Sequence, residues 1–278
     1  MKAAHVFQVD DEITIRRAET IAEYRACQDV QRGAWGISDE SYVVPVATMV
    51  GANLHGGLVL GAFLPGGDAV AMSFAFLARI AGRLCLYSQL TGVLPAYQSR
   101  GLGYQIKLLQ REFARSEGIE RIAWAFDPLQ AGNAYFNLVR LGASAGYYVE
   151  NMYGPRTDAL NAGVPTDRLI VEWNIQDQAK LVTIDTISDL PRLVEREQGG
   201  NEPVAISDAL SLRPLRILLE IPADFALLRR DTPAMAEQWR ALVAQAFQAA
   251  FAAGYRAVHF VRDDSLGQRR GFYVLERL

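Results

Sequence analysis

The apolar positions along this chain change period several times, and each change marks an expected element. Ile13 and Ile15 alternate with polar neighbours over Ile13–Ala18, the pattern of a short half-buried strand. Thr20-Ile21-Ala22-Glu23 then has the form of a capping box, in which the Thr20 hydroxyl and the Glu23 carboxylate each satisfy an orphan backbone amide. Ile21, Tyr24, Cys27 and Val30 follow at helical spacing. Leu58–Phe63, Val70–Leu77 and Leu84–Val93 are apolar runs separated by Pro65-Gly66-Gly67-Asp68 and Ala81-Gly82, which supply turn geometry. Three antiparallel strands joined by hairpins are predicted.

The period then switches. Leu102, Ile106, Leu109 and Phe113 share one helix face, and Gln105, Lys107, Gln110, Arg111 and Arg115 are assigned to the other, which makes an amphipathic helix ending at Gly118. Ile119–Phe126 reads as a fifth strand, so the chain makes a strand-helix-strand crossover that has to be parallel and right-handed. A second, shorter helix is predicted over Asn133–Leu141, closed by Gly142. A stretch with Gly154, Pro155, Gly163 and Pro165 lacks periodicity and precedes the strand-like Leu169–Ile175.

A domain boundary near Ile175 divides the chain into residues 13–175 and an α/β extension over residues 176–278. The extension opens with Leu181–Ile187, passes a polar insert at Glu195–Pro203 and continues with a strand, Arg216–Ile221. Asp231-Thr232-Pro233 places a capping residue and an N1 proline before Met235, Trp239, Leu242, Val243, Phe247 and Phe251 on one helical face. Ala257–Val261 and Gly271–Leu275 are the last strands. Ile221-Pro222-Ala223 echoes Leu94-Pro95-Ala96, each ending a strand before an amphipathic helix closed by glycine, and this leaves a degenerate half-repeat open.

Composition narrows the class. Half of the 278 residues are hydrophobic and 21% are charged, as in ordinary globular proteins. A net charge of -3 without a long basic run leaves no electrostatic footprint for nucleic acid. Met1–Arg17 is broken by Asp10, Asp11 and Glu12, so no signal-peptide pattern is present, and no uncharged apolar run reaches membrane-spanning length. No membrane partner is expected. The two isolated cysteines, Cys27 and Cys85, fit a reducing cytoplasm, the expected location. His55 and His259 have no second ligand at metal spacing, so no metal site is expected.

The chemistry-bearing feature is Gly101-Leu102-Gly103 at a strand-to-helix turn. A dinucleotide fingerprint would want a third glycine where Ile106 stands, and the Gly-Lys-Ser/Thr of a triphosphate loop is absent. What remains is a turn whose unsatisfied amides and helix dipole suit a pyrophosphate, with glycines that let the anion approach and Arg100 adding positive charge. A plain packing turn is the alternative.

Gln98-Ser99-Arg100-Gly101-Leu102-Gly103 resembles the Q/R-x-x-G-x-G/A motif of the GNAT acetyltransferases, and the order of predicted elements from about Ile13 to Ile175 is similar to theirs. The remainder resembles a little-characterised branch of predicted acetyltransferases with a C-terminal extension. The resemblance implies an α+β fold with a mixed sheet and an acyltransferase moving an acetyl or short acyl group from acetyl-CoA, or another acyl-CoA, to an amine. It implies that backbone from Gln98, Ser99, Arg100, Gly101, Leu102 and Gly103 cradles the pyrophosphate. The strand Gln89–Val93, with Leu94 after it, would lie beside the pantetheine arm, which would enter between Leu86–Val93 and Ile119–Phe126. Asn133 would stand near the pantetheine or thiol region, with a helix cap as its plainer reading.

The family often places a tyrosine acid where this chain has Leu138. Tyr135, three residues earlier on the same helix, is the substitute candidate for the catalytic acid, against a packed aromatic as the plainer reading. Asp127 and Glu150 are the nearest acidic candidates for a base, each otherwise a solvated loop residue. A small-molecule or peptide amine is the expected acceptor, and a monomer or homodimer the expected assembly. A CoA-binding or regulatory module without turnover, and transfer to a non-amine acceptor such as a hydroxyl, stay open as alternatives.

Overall fold

The computed structural model of the chain describes residues 7–8, 12–158, 163–176, 187–197, 200–205, 209–264 and 269–277. Two compact units are formed, one by residues 1–124, 153–165 and 174–176, the other by residues 125–152, 166–173 and 177–278.

In the first unit, β1 (Phe7–Gln8) and β2 (Thr14–Arg17) precede α1 (Ile21–Trp35), whose predicted capping box forms in full: Thr20 Oγ1 accepts from the Glu23 amide and Glu23 accepts from the Thr20 amide. Arg16 donates to Glu23 at 2.6 Å, and this bond, with the two backbone amides, holds the Glu23 carboxyl down at about 2. α2 (Val46–Leu54) was not visible as a pattern, being apolar nearly all round. Its Asn53 is buried and joins three elements, donating to Ala18 O and accepting from the Val59 amide and the Arg17 guanidinium.

The expected hairpins follow as β3 (Leu58–Phe63), β4 (Ala69–Ile80) and β5 (Arg83–Val93), antiparallel throughout. Ala81 and Gly82 both adopt positive φ, 47° and 76°, in the turn between β4 and β5. α3 (Leu102–Ser116) then crosses to β6 (Arg121–Phe126), which pairs parallel to β5 as expected. Tyr24, Val30, Met49, Val59, Met72 and Phe74 belong to the core between α1, α2 and the sheet.

The second unit opens with α4 (Ala131–Tyr135), which widens into a π turn over Phe136–Arg140 and closes at Gly142, φ 69°. The predicted helix thus exists but starts two residues earlier than its pattern suggests. Next come β7 (Ser144–Val149), which its glycine and paired tyrosines concealed, and β8 (Arg168–Asn174). β9 (Arg192–Arg196) and β10 (Pro203–Ala205) occupy both ends of the region read as a polar insert. The predicted segment Leu181–Ile187 lies, except for Ile187, outside the described residues.

β11 (Arg216–Pro222), α5 (Phe225–Asp231), α6 (Pro233–Ala252), β12 (Tyr255–Asp263) and β13 (Arg270–Arg277) complete the chain. Asp231 does not cap α6; it ends α5, and Thr232 takes the cap position while its hydroxyl donates back to Leu228 O. Pro233 is at N1 as expected. α6 buries Trp239, Val243 and Phe247, and Phe247 meets Tyr273 edge-on at 5.0 Å. β13 runs antiparallel to both β11 and β12 and separates them, so the second strand-helix-strand passage does not return to an adjacent parallel strand as the first does. No helix among the described residues is long and apolar enough to cross a membrane.

Candidate functional site

The turn between β5 and α3 has the geometry of an anion cradle. Ser99 and Gly101 adopt left-handed φ, 64° and 79°, so the backbone enters the left-handed region twice within three residues. A non-glycine residue there is uncommon, and such strain persists where the surroundings fix it. The Tyr104 and Gln105 amides bond back to Gly101 O, at 3.0 and 3.1 Å. The amides of Leu102 and Gly103, first in α3, have no carbonyl before them to use. A Cβ built on Gly101 or on Gly103 would meet no atom within 4 Å, so the space in front of both is open. Arg100 lies over the Tyr97 ring at 5.1 Å, and Gln98 reaches back to Val93 O at 3.3 Å, tying the turn to the end of β5. These residues suit a pyrophosphate: open backbone, orphan donors and one guanidinium.

β5 itself is bent at the relevant place. Its pairing with β4 shifts register between Phe74↔Leu90 and Ala75↔Ser88, leaving Gln89 as the extra residue of a bulge. The parallel pairing with β6 is confined to Leu86↔Ile122 and Tyr87↔Ala123. The stretch from Ser88 to Val93 therefore keeps β4 on one side and has no β6 residue in register on the other. That is the edge an extended ligand arm would use by adding backbone bonds like a further strand. Leu94 closes the stretch, its amide bonded to Val70 O at 2.9 Å.

Beneath the turn, α3 does not follow the face assignment made from its sequence. Lys107 and Gln110, placed on the solvated side, are buried at 4% and 0% exposure. Lys107 Nζ donates to Ser88 Oγ at 3.0 Å and sits 3.8 Å from the centre of the Trp124 ring. Gln110 Nε2 donates to Ser88 Oγ and Ser73 Oγ at 2.9 and 3.2 Å. Burial pulls the Lys107 ammonium down to about 7, well below the ordinary lysine range. The signal that could have found this was on β4 and β5: Ser73 and Ser88 interrupt apolar runs and need partners once buried.

The remaining candidates lie in the second unit. Asn133 is exposed inside α4, and the N-cap is Gln130, so the reading of Asn133 as a helix cap is corrected. Tyr135 is partly buried, with the Arg262 guanidinium 4.3 Å above its ring. Leu138, where the family resemblance would want a hydroxyl, is 2% exposed and belongs to the apolar interior. Asp127 is no solvated loop residue. It accepts from Arg240, itself 5% exposed, at 3.0 Å and from the Leu129 amide at 3.0 Å. Glu150 accepts from Gln248 at 2.7 Å. His55 is exposed at the C-cap of α2, and His259, half-buried on β12, is held below its ordinary range by burial and by Arg216. No group of three or more potential metal ligands gathers among the described residues.

No family model matches the sequence, and no curated protein matches it. Solved structures similar to the chain include a protein described as a GNAT-family acetyltransferase from Desulfovibrio desulfuricans, at 16% identity over 59% of this chain and 99% of that one, TM-score 0.46. The ribosomal-protein-S18-alanine N-acetyltransferase of Escherichia coli is similar at 18% identity, over 62% of this chain and 99% of that one, TM-score 0.44. A GNAT-family acetyltransferase from Elizabethkingia anophelis with acetyl-CoA bound is similar at 14% identity, over 59% and 99%, TM-score 0.43.

Proposed function

We propose that the chain is an acyl-CoA-dependent acyltransferase of the GNAT type, with residues 13–175 as its transferase domain and residues 176–278 as an α/β extension. It moves an acetyl or short acyl group to the amine of a small molecule or peptide. The observation that carries this reading is the open turn at Gly101 and Gly103, set at the end of a bulged strand whose outer edge is free from Ser88 to Val93. A pyrophosphate on the turn and a pantetheine arm along the strand edge would use both features at once. Open space alone is common at this chain's turn glycines, and it is the free strand edge beside the turn that a plain packing turn leaves unexplained.

In the transfer, a neutral amine attacks the thioester carbonyl, a C–N bond forms, the C–S bond breaks, the nitrogen gives up one proton to solvent as it becomes an amide, and the departing thiolate takes one up. Tyr135 is the residue proposed to supply that proton. Two buried cysteines, neither in a disulfide, suit a reducing cytoplasm.

Thermal unfolding with increasing acetyl-CoA tests the site, because a ligand bound only by the folded chain raises the midpoint with concentration. Release of free CoA in the presence of an amine library tests the activity. Absence of any shift at millimolar acetyl-CoA would remove the proposal. Binding without release would instead favour a second reading, a CoA-binding module without turnover, for which the buried Leu138 speaks.

A further inference from the structure

A cavity of about 360 Å³ in the second unit is bordered by Gly132 and Ala223 and by four charged residues from the β12–β13 hairpin, Arg262, Asp264, Arg269 and Arg270. Its volume is that of a small-molecule site. With Arg270 paired to Glu220, two further guanidinium groups, Arg262 and Arg269, stand against one carboxylate, Asp264, on a wall that is net cationic in a chain whose net charge is -3.

The three arginines are not equivalent. Arg270 is committed: its Nε and Nη2 donate to Glu220, a carboxylate at 0% exposure on β11, at 2.9 and 2.5 Å. The Arg196 amide at 2.9 Å and the Arg196 guanidinium at 3.8 Å also face that carboxylate. Glu220 thus holds Arg270 and, more loosely, Arg196, which ties β13 to β11 and β9 at the base of the hairpin. Arg262 and Arg269 have no carboxylate partner among the described residues. Arg262 is nonetheless held, its guanidinium carbon standing 4.3 Å from the centre of the Tyr135 ring. An arginine held by an aromatic face, with its N–H groups unspent, is prepared to take an anion in the bidentate manner that guanidinium favours. Gly132 contributes room, because a Cβ there would meet nothing within 4 Å.

We infer that this cavity binds a small oxyanion-bearing molecule, a carboxylate or a phosphate ester, through Arg262 and Arg269. Asp264 on the same wall would favour ligands that also carry an ammonium or hydroxyl donor. The inference goes beyond acyl transfer and stands on the cavity alone, whether or not the chain uses acyl-CoA.

The full chain is titrated with inorganic phosphate and, separately, with succinate, each against potassium chloride at matched ionic strength, by calorimetry and thermal unfolding. Saturable binding of at least one anion is expected, weakened about tenfold or more in Arg262→Gln and in Arg269→Gln, a loss of the size expected for one charge-assisted contact. Phosphate alone, succinate alone or both saturating tells which oxyanion source the site takes. A response no greater than that to chloride, or one unchanged in both variants, would overturn the inference. So would a parallel loss of acetyl-CoA affinity in the two variants, because the arginines would then belong to the cofactor's own phosphates.

Discussion

Lys107 Nζ stands 3.0 Å from Ser88 Oγ, so the helix that begins at the glycine turn is bonded directly to the strand that leads into it. The contact joins the two elements on which the proposed cofactor site depends. Being fully enclosed, it is also a source of pH dependence.

The folded Lys107 ammonium titrates at about 7 against an ordinary 10.5. Between those values the unfolded chain binds a proton that the folded chain does not, so stability rises with pH across this window. Replacing the amine by a thioether of similar length, Lys107→Met, removes that slope. The variant is expected to be about 2 kcal/mol more stable than the parent at pH 7, after the lost hydrogen bond is set against the relieved burial, with the gain shrinking toward pH 10.5. Urea unfolding at a series of pH values checks this. A parent stability flat from pH 7 to 10 would contradict it.

Gly103 separates binding from folding. Its φ is not in the left-handed range and a Cβ there meets nothing within 4 Å, so Gly103→Val should leave the unfolding midpoint within about 2 °C. The same side chain would fill the space in front of the Leu102 and Gly103 amides. Acetyl-CoA affinity is expected to fall by about tenfold or more, read by calorimetry. Gly101→Val is less clean, because its φ of 79° would add strain to the loss.

Tyr135→Phe keeps the ring beneath Arg262 and removes the hydroxyl. If that hydroxyl protonates the leaving thiolate, kcat should drop about 10²-fold with little change in acetyl-CoA affinity, and the alkaline limb of the pH–rate profile should change. An unaltered kcat would reassign Tyr135 to packing alone.

Thr20→Ala is expected to cost about 1 kcal/mol by opening the cap of α1. The Glu23 carboxyl lies at about 2 in the fold against an ordinary 4.5, so its share of stability is present above pH 4.5 and is lost as pH falls toward 2. Acid titration of the parent and of Glu23→Gln, followed by circular dichroism, should show the parent's advantage disappearing in that window.

Much of the first unit was legible because its elements announce themselves locally. The Thr20–Glu23 cap, the hairpins around Gly67 and Gly82 and the α3 crossover all came out where period and turn chemistry put them. What period could not show was a polar side chain buried for a partner. Lys107 and Gln110 look solvated on a helical wheel, and only Ser73 and Ser88, brought beside them by the sheet, give them a reason to be inside. The Gln89 bulge has no sequence mark, since its cause is a mismatch with β4. Elements in which neither period stands out, such as α2 and β7, were missed for that reason. At the candidate site the turn was readable and the hydroxyl chemistry was not, because Tyr135, Leu138 and Asp127 are sorted only by what packs on them.

β13 lies between β11 and β12, where the first unit has nothing between β5 and β6. The later strand-helix-strand passage thus has the place beside its first strand filled by its own chain. Under the proposed function the molecule should therefore saturate with one acyl-CoA per polypeptide, and a titration that ended at two would mean that a strand had been displaced to admit the second.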